Sequence, residues 1–307
     1  MSTFSIRLSS LAISTALALS AMGAACDAFA QDGPTAGTAE VVENATSTLG
    51  IVSGAPSSTN AVVTHGDVRV AVPETPRGSV SVSAADGSTV AIGLPVADAS
   101  SDAAVSPAGT VTYGTAETGA SAVQPLQDGV RILAVTAKPG PQEFRFPLDL
   151  PTGTALTPRA DGGYDITQQV SEGVALVKGS IDAPWAKDAT GAAVATHYRL
   201  DGSTLTQIVE PDASTVGAVV ADPKLTWGIV TGTAYLNKSE TEQVGQKAGL
   251  LAFVTSTLPP PFNVVAGLDV AVVVVKANEA KSKGQCLKLK LVTPLIVPGS
   301  YSGGNCK

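Results

Sequence analysis

At four places an Asp-Gly pair falls between short runs rich in Val, Ile and Thr: Asp86-Gly87, Asp128-Gly129, Asp161-Gly162 and Asp201-Gly202. Glycine, and less readily aspartate, accepts the positive φ that a tight hairpin turn demands, so the pairs mark reversals of a chain already extended on both sides. The flanking runs agree. Val68-Arg69-Val70-Ala71-Val72, Ser79-Val80-Ser81-Val82-Ser83 and Thr89-Val90-Ala91-Ile92 alternate with a period of two, the pattern of half-buried strands. Val130 to Val135, Phe144 to Leu148 and Tyr164 to Ile166 follow at the spacing of an antiparallel sandwich or meander. Helical periodicity is nearly absent from 61 to 223. A content of 44% hydrophobic and 15% charged residues, with 31 Gly and 20 Pro, allows a core built from short strands and many turns.

The first thirty residues read as a secretory signal peptide: Arg7 gives a positive start, 11–25 is uncharged and mostly apolar, and Ala28-Phe29-Ala30 is a small-x-small site placing cleavage between Ala30 and Gln31. Cys26 as an acylated lipoprotein residue is disfavoured, because no Leu stands three positions before it. Export leaves Cys286 and Cys306 as an even pair in an oxidising compartment, which reads as a disulfide. No metal site is expected, since His65 and His197 both lie far from the cysteines in sequence. Residues 31–60, rich in Ser, Thr, Gly and Ala, read as a flexible linker with at most a short helix or strand near 41–49.

After Val220-Ala221-Asp222-Pro223 the character changes. Residues 225–236 read as one strand, bent at a glycine if at all. Ser239-Glu240-Thr241-Glu242 has the form of a capping box opening a helix over 240–255, ended by Pro259-Pro260-Pro261. The apolar, β-branched run 262–275 would suit a buried strand, and its period does not separate strand from helix. It leads without a break into helix formers at 276–281, however, which favours a second helix over 261–283 and hence a helical hairpin. That run is shorter than a membrane span and carries Asp269. Gln285 to Val292 alternates again and predicts a strand. The expected organisation is two-domain and mainly β: a β-rich domain at 61–223, then a smaller α+β module at 224–307 with the hairpin and a disulfide-stapled strand region.

Charge divides at the same point. From 31 to 223, nine basic residues face 21 acids, about −12; from 224 to 307, nine lysines face four acids, about +5. The plain reading is two solvated surfaces that keep the protein soluble, with the partner unknown; the sharper one is a basic tail that meets an anionic cell surface or membrane. Nucleic acid is not an expected partner, because the tail has no Arg and no aromatic-basic interleaving.

Trp185, Asp188, His197 and Tyr198 are the candidates to line a pocket or surface cluster, against their plainer reading as core anchors and hydrogen-bonded strand residues. The segment Ala183-Pro184-Trp185-Ala186-Lys187-Asp188-Ala189, then Thr196-His197-Tyr198, then Val219-Val220-Ala221-Asp222-Pro223, resembles a module of uncharacterised exported proteins of high-GC Gram-positive bacteria. In those proteins varied C-terminal parts follow the Ala-Asp-Pro. The hydrophobic hairpin with Gly284-x-Cys286-Leu287-Lys288 and Gly303-Gly304-x-Cys306 is similar to C-terminal modules of such proteins, some bacteriocin-like in look. The resemblance implies export and modularity and brings no cofactor and no active site. No serine elbow, paired-histidine metal helix or phosphate loop occurs. The leading expectation is an exported non-enzymatic interaction or structural module. The alternatives are a membrane-active or antagonistic protein with 224–307 as effector, and an extracellular hydrolase of unfamiliar type.

Overall fold

A computed structural model describes residues 34–49, 62–65, 68–96, 103–136, 140–228, 233–246, 269–292 and 295–307. The signal peptide, Cys26, the 247–255 part of the first predicted helix and 261–268 of the second lie outside the described residues. The chain opens with helix α1 (Pro34–Thr46) and strands β1 (Val62–His65), β2 (Val68–Ala71), β3 (Ser79–Ser83) and β4 (Thr89–Gly93). Then come β5 (Ala104–Val105), β6 (Val111–Thr115), β7 (Gly119–Leu126), β8 (Gly129–Thr136), β9 (Gln142–Asp149) and β10 (Thr154–Pro158). They are followed by β11 (Tyr164–Ser171), β12 (Val174–Ile181), β13 (Ala186–Lys187), β14 (Ala195–Asp201), β15 (Thr204–Glu210) and β16 (Val219–Ala221). The last part holds β17 (Lys224–Trp227), β18 (Thr233–Leu236), α2 (Lys238–Val244), α3 (Val270–Ser282), β19 (Cys286–Val292) and β20 (Leu295–Tyr301).

The protein is mainly β, and the strand pairs are antiparallel. One sheet runs β1-β2-β3-β4-β9-β15-β14. The other runs β20-β19-β18-β12-β17-β8-β7-β6-β5, with β10 and β11 joined to β12, and β13 joined through β16 to β8. All four Asp-Gly pairs stand between hairpin partners: β3 and β4, β7 and β8, β10 and β11, β14 and β15. Gly129 is required twice over, by a φ of +155° and because a Cβ there would stand 2.0 Å from the Leu225 carbonyl oxygen.

One core cluster draws on both sheets. Val70, Val82, Ile92 and Phe146 come from the first, and Tyr113, Ile132, Leu225 and Trp227 from the second. In β9 the alternation is regular, with Phe144, Phe146 and Leu148 buried and Glu143 and Arg145 exposed. β8 is buried along its whole length because its other face is covered too. There Leu133 and Val135, with Ala120 and Ala122, pack against Val42 and Ala45 of α1.

Residues 34–46 are therefore not a flexible linker, as their composition suggested. Ala39, Val42 and Ala45, three residues apart, give α1 a narrow apolar stripe that is fully used. Polar pins complete the docking. Thr46 Oγ1 accepts from Gln124 Nε2 (3.1 Å), Arg131 donates to Gln124 Oε1 and to the Leu49 carbonyl (both 2.9 Å), and Lys187 Nζ donates to the Ala45 carbonyl (2.9 Å).

The single strand expected over 225–236 is two. β17 pairs with Gly179 to Ile181 of β12 and β18 with Val174 to Leu176, so both lie on one edge of the same long strand. β17 also pairs with β8. The expected domain boundary at 223/224 thus falls inside one sheet, and 34–307 clusters as a single compact unit. The capping box is displaced as well: α2 is capped by Asn237, whose Oδ1 accepts from Glu240 N (2.8 Å), and not by Ser239. Asp269 begins α3 by accepting from Ala271 N and Val272 N (3.1 and 3.2 Å). An acid that is awkward in a membrane is well placed at a helix start. Among the described residues no helix is long and apolar enough to cross a membrane.

Helices α2 and α3 pack side by side through Asn278 to the Gly245 carbonyl (3.0 Å) and Lys281 to Glu242 (2.5 Å). Val244, Val273 and Ala277 cover Leu236, Leu287 and Leu289 on one face of the sheet. The opposite face holds Val177, Tyr235 and Tyr301 beside the Cys286–Cys306 disulfide, with S–S 2.07 Å and Cα atoms 5.5 Å apart.

Two outcomes are expected. Val42→Asp should cost at least about 3 kcal/mol in chemical denaturation, by placing an unpaired charge under α1; a loosely attached α1 would leave stability unchanged. Replacing both cysteines by serine releases a loop with a sequence separation of 20, and should cost about 3 kcal/mol in the same assay.

Candidate functional site

Period-two geometry separates the four sequence candidates. Along β14, Thr196, Tyr198 and Leu200 turn inward while His197 and Arg199 turn out. The His197 side chain is 56% exposed, with Nδ1 3.8 Å from Glu210 Oε2, so it shares no pocket with Tyr198. Asp188 is buried and fully engaged. Its Oδ1 accepts from Thr190 N (2.9 Å), Thr190 Oγ1 (2.7 Å) and Ala192 N (3.0 Å), and its Oδ2 from Val216 N (2.9 Å). Those donors, the Thr190 hydroxyl foremost, hold its carboxyl down at about 2. It organises a turn and ties that turn to the backbone at Val216.

Trp185 and Tyr198 also face different ways. The indole packs with the α1 cluster under Lys187, whose Nζ is 5.4 Å from the ring centroid. The Tyr198 ring packs on the inter-sheet core, its centroid 6.4 Å from that of Tyr164. What joins their neighbourhoods is the Trp185 backbone. Its N–H donates to Asp222 Oδ1 (3.1 Å), and its carbonyl accepts from Asp222 N (3.3 Å) and Gln207 Nε2 (3.0 Å). Burial pushes the Asp222 carboxyl up to about 8, against the lowering effect of the Trp185 N–H and Arg131. Sequence reasoning passed over Gln207 and Asp222 as functional residues. The available signal was an acid inside Val219-Val220-Ala221-Asp222-Pro223, a run otherwise fit for burial.

An open, polar concavity lies elsewhere, on the disulfide face of the C-terminal strands. It is a groove of about 410 Å³ lined by Arg159, Asp165, Thr233, Tyr235, Lys288 and Lys290, among others. The register sets its chemistry: Lys288 lies opposite Tyr235 and Lys290 opposite Thr233, so the two lysines share one face of β19. Gly299, the partner of Lys288 on β20, leaves room for that side chain, since a Cβ there would sit 3.2 Å from Lys288 Cε. Arg159 is neutralised by Asp161 (2.9 Å) and Asp165 (3.5 Å), and Asp165 also accepts from the Tyr235 hydroxyl (2.6 Å). Lys288 and Lys290 have no acidic partner among the described residues. The Tyr235 and Tyr301 rings, edge to face at 4.6 Å, stiffen its floor. Such a surface can hold an anion through two mobile ammonium groups. Among the described residues no three His, Cys, Asp or Glu side chains converge to hold a metal.

The Asp188 carboxyl titrates below its ordinary value of about 3.9. Its stabilisation is therefore present above pH 4 and lost as pH falls through about 2. Melting curves between pH 5 and pH 2 should show Asp188→Ala less stable at pH 5 and less acid-sensitive than the parent; parallel curves would remove this role. The chain matches no protein-family model, no curated protein and no solved structure.

Proposed function

We propose that this protein is an exported, non-enzymatic interaction module of the cell envelope or extracellular space that holds an anionic polymer in the groove on β19. The observation that carries the reading is the pair Lys288 and Lys290 on one face of β19, without an acidic partner among the described residues, in a concavity with a tyrosine floor. Export is supported by the leader-like residues 1–30 and by a cysteine pair that an oxidising compartment keeps joined. We read the two sheets as the layers of a sandwich, since one apolar cluster is shared between them. The C-terminal strands and helices extend one layer and form the binding part. The favoured ligand is a phosphate-bearing wall polymer, because two point charges with flexible stems suit tetrahedral anions repeated along a chain.

The test is binding of the mature protein from Gln31 to poly(glycerol phosphate), and to anionic lipid vesicles, across a salt series. The parent should bind the polymer, and more weakly as salt rises. Lys288→Glu with Lys290→Glu should weaken binding about tenfold or more, each lost ion pair counting up to about 1 kcal/mol. Unchanged affinity in the double variant, or binding indifferent to salt, overturns the proposal. Binding to vesicles alone transfers it from wall polymer to lipid.

A further inference from the structure

Three buried side-chain oxygens at one junction between the sheets have no hydrogen-bond partner among the described residues: Tyr198 Oη, Gln207 Oε1 and Asp222 Oδ2. They are neighbours by construction of the fold. Tyr198 and Gln207 are directly opposed residues of β14 and β15, at one end of the first sheet. Asp222 follows β16, and Trp185 precedes β13, in the second sheet. Gln207 reaches across to the Trp185 carbonyl (3.0 Å), and the Asp222 carboxyl takes the Trp185 N–H (3.1 Å), so amide and carboxyl are both held by the backbone of one residue. The Tyr198 hydroxyl lies within the field of Asp222, and burial together with that charge raises it well above the ordinary tyrosine value.

The three atoms have complementary needs. Tyr198 has an O–H to donate, Gln207 Oε1 can only accept, and a carboxyl accepts when ionised and donates when neutral. Each is costly to bury unsatisfied. A water molecule, with two protons and two lone pairs, meets all three in either protonation state. Beside the carboxylate it accepts from Tyr198 and donates to Gln207 and Asp222. Beside the carboxylic acid it accepts from both hydroxyls and donates to Gln207. Buried waters typically make about three such bonds to groups of this kind.

We propose that Tyr198 Oη, Gln207 Oε1 and Asp222 Oδ2 enclose a site for one internal water molecule that joins the two sheets. The site is independent of the β19 groove. The charged and titratable groups around Asp222 are Arg131 on β8, Asp182 after β12 and Tyr198 on β14, and Asp128 faces Arg131 from the β7–β8 turn. Arg131 favours the ionised carboxyl, whereas burial and Asp182 favour the neutral one. The folded carboxyl titrates above its unfolded value, so the stability it confers is full below about pH 4 and declines as pH rises to about 8.

The deciding experiment is a high-resolution crystal structure of the mature protein, with melting curves of the parent, Tyr198→Phe and Asp222→Asn from pH 5 to 9. The expected map has one peak within hydrogen-bond reach of all three oxygens. Tyr198→Phe should displace that peak and lower the melting temperature by about 2–4 °C. Asp222→Asn should remove the decline toward pH 8 that the parent shows. A direct bond from Tyr198 to Asp222 or Gln207 with nothing between them overturns the proposal. So does a peak with the shorter, more numerous oxygen contacts of a bound cation, or a Tyr198→Phe melting curve that superposes on the parent's.

Discussion

Strand β12 is hydrogen-bonded along both edges, and the C-terminal third of the molecule hangs from it. One edge carries β11; the other is shared by β17 and β18 in succession. The sharing depends on close backbone approach at Gly179, where a Cβ would fall 2.2 Å from the Thr226 carbonyl oxygen. At the break between the two strands Gly228 N donates to the Lys178 carbonyl (2.8 Å), so the edge stays paired where β17 stops. From β18 the sheet passes to β19 and β20, which carry the groove lysines on one face and the helices on the other. The groove exists because a strand in the middle of the chain serves as template for two later ones.

The apolar cluster shared by the two sheets consists mostly of small branched side chains, so it is pinned at a few polar points. Trp227 is fully buried, and its indole N–H donates to the Ser88 carbonyl (3.1 Å) in the β3–β4 turn. Buried Tyr113 reaches the Pro73 carbonyl in the same way, from the second sheet to the first. Each aromatic contributes apolar area at its body and a fixed orientation at its tip. The Gln207–Trp185–Asp222 junction is a third contact of this kind, made by residues of no great size.

The hairpins were legible because their signals are local: an Asp-Gly pair needs no distant partner to state its preferred φ. The alternation in β2, β3, β4 and β9 was legible for the same reason. α1 was not, since three small apolar residues among Thr, Gly and Glu acquire meaning only against the β7–β8 surface they cover. Asn237 and Ser239 are both competent caps two residues apart; the end of β18 at Leu236 decides for the first. Of the site candidates, Asp188 had a readable plain explanation in Asp188-Ala189-Thr190-Gly191, a side-chain-closed turn. Tyr198 and His197 are adjacent in sequence and so fall on opposite faces of β14. The pairing of Lys288 and Lys290 with Thr233 and Tyr235 depends on a register that no local pattern states.

The disulfide has a mechanical meaning beyond its effect on stability. Cys286 opens β19, and Cys306 lies next to the last residue, so β20 sits wholly inside a closed covalent loop. A pull applied at Lys307 passes through the sulfurs to β19, and the load bypasses the β19–β20 ladder. Edge strands ordinarily peel first under tension, one rung at a time. Here the outermost strand is shielded, and the force falls on the β18–β19 pairing, where rungs must shear together.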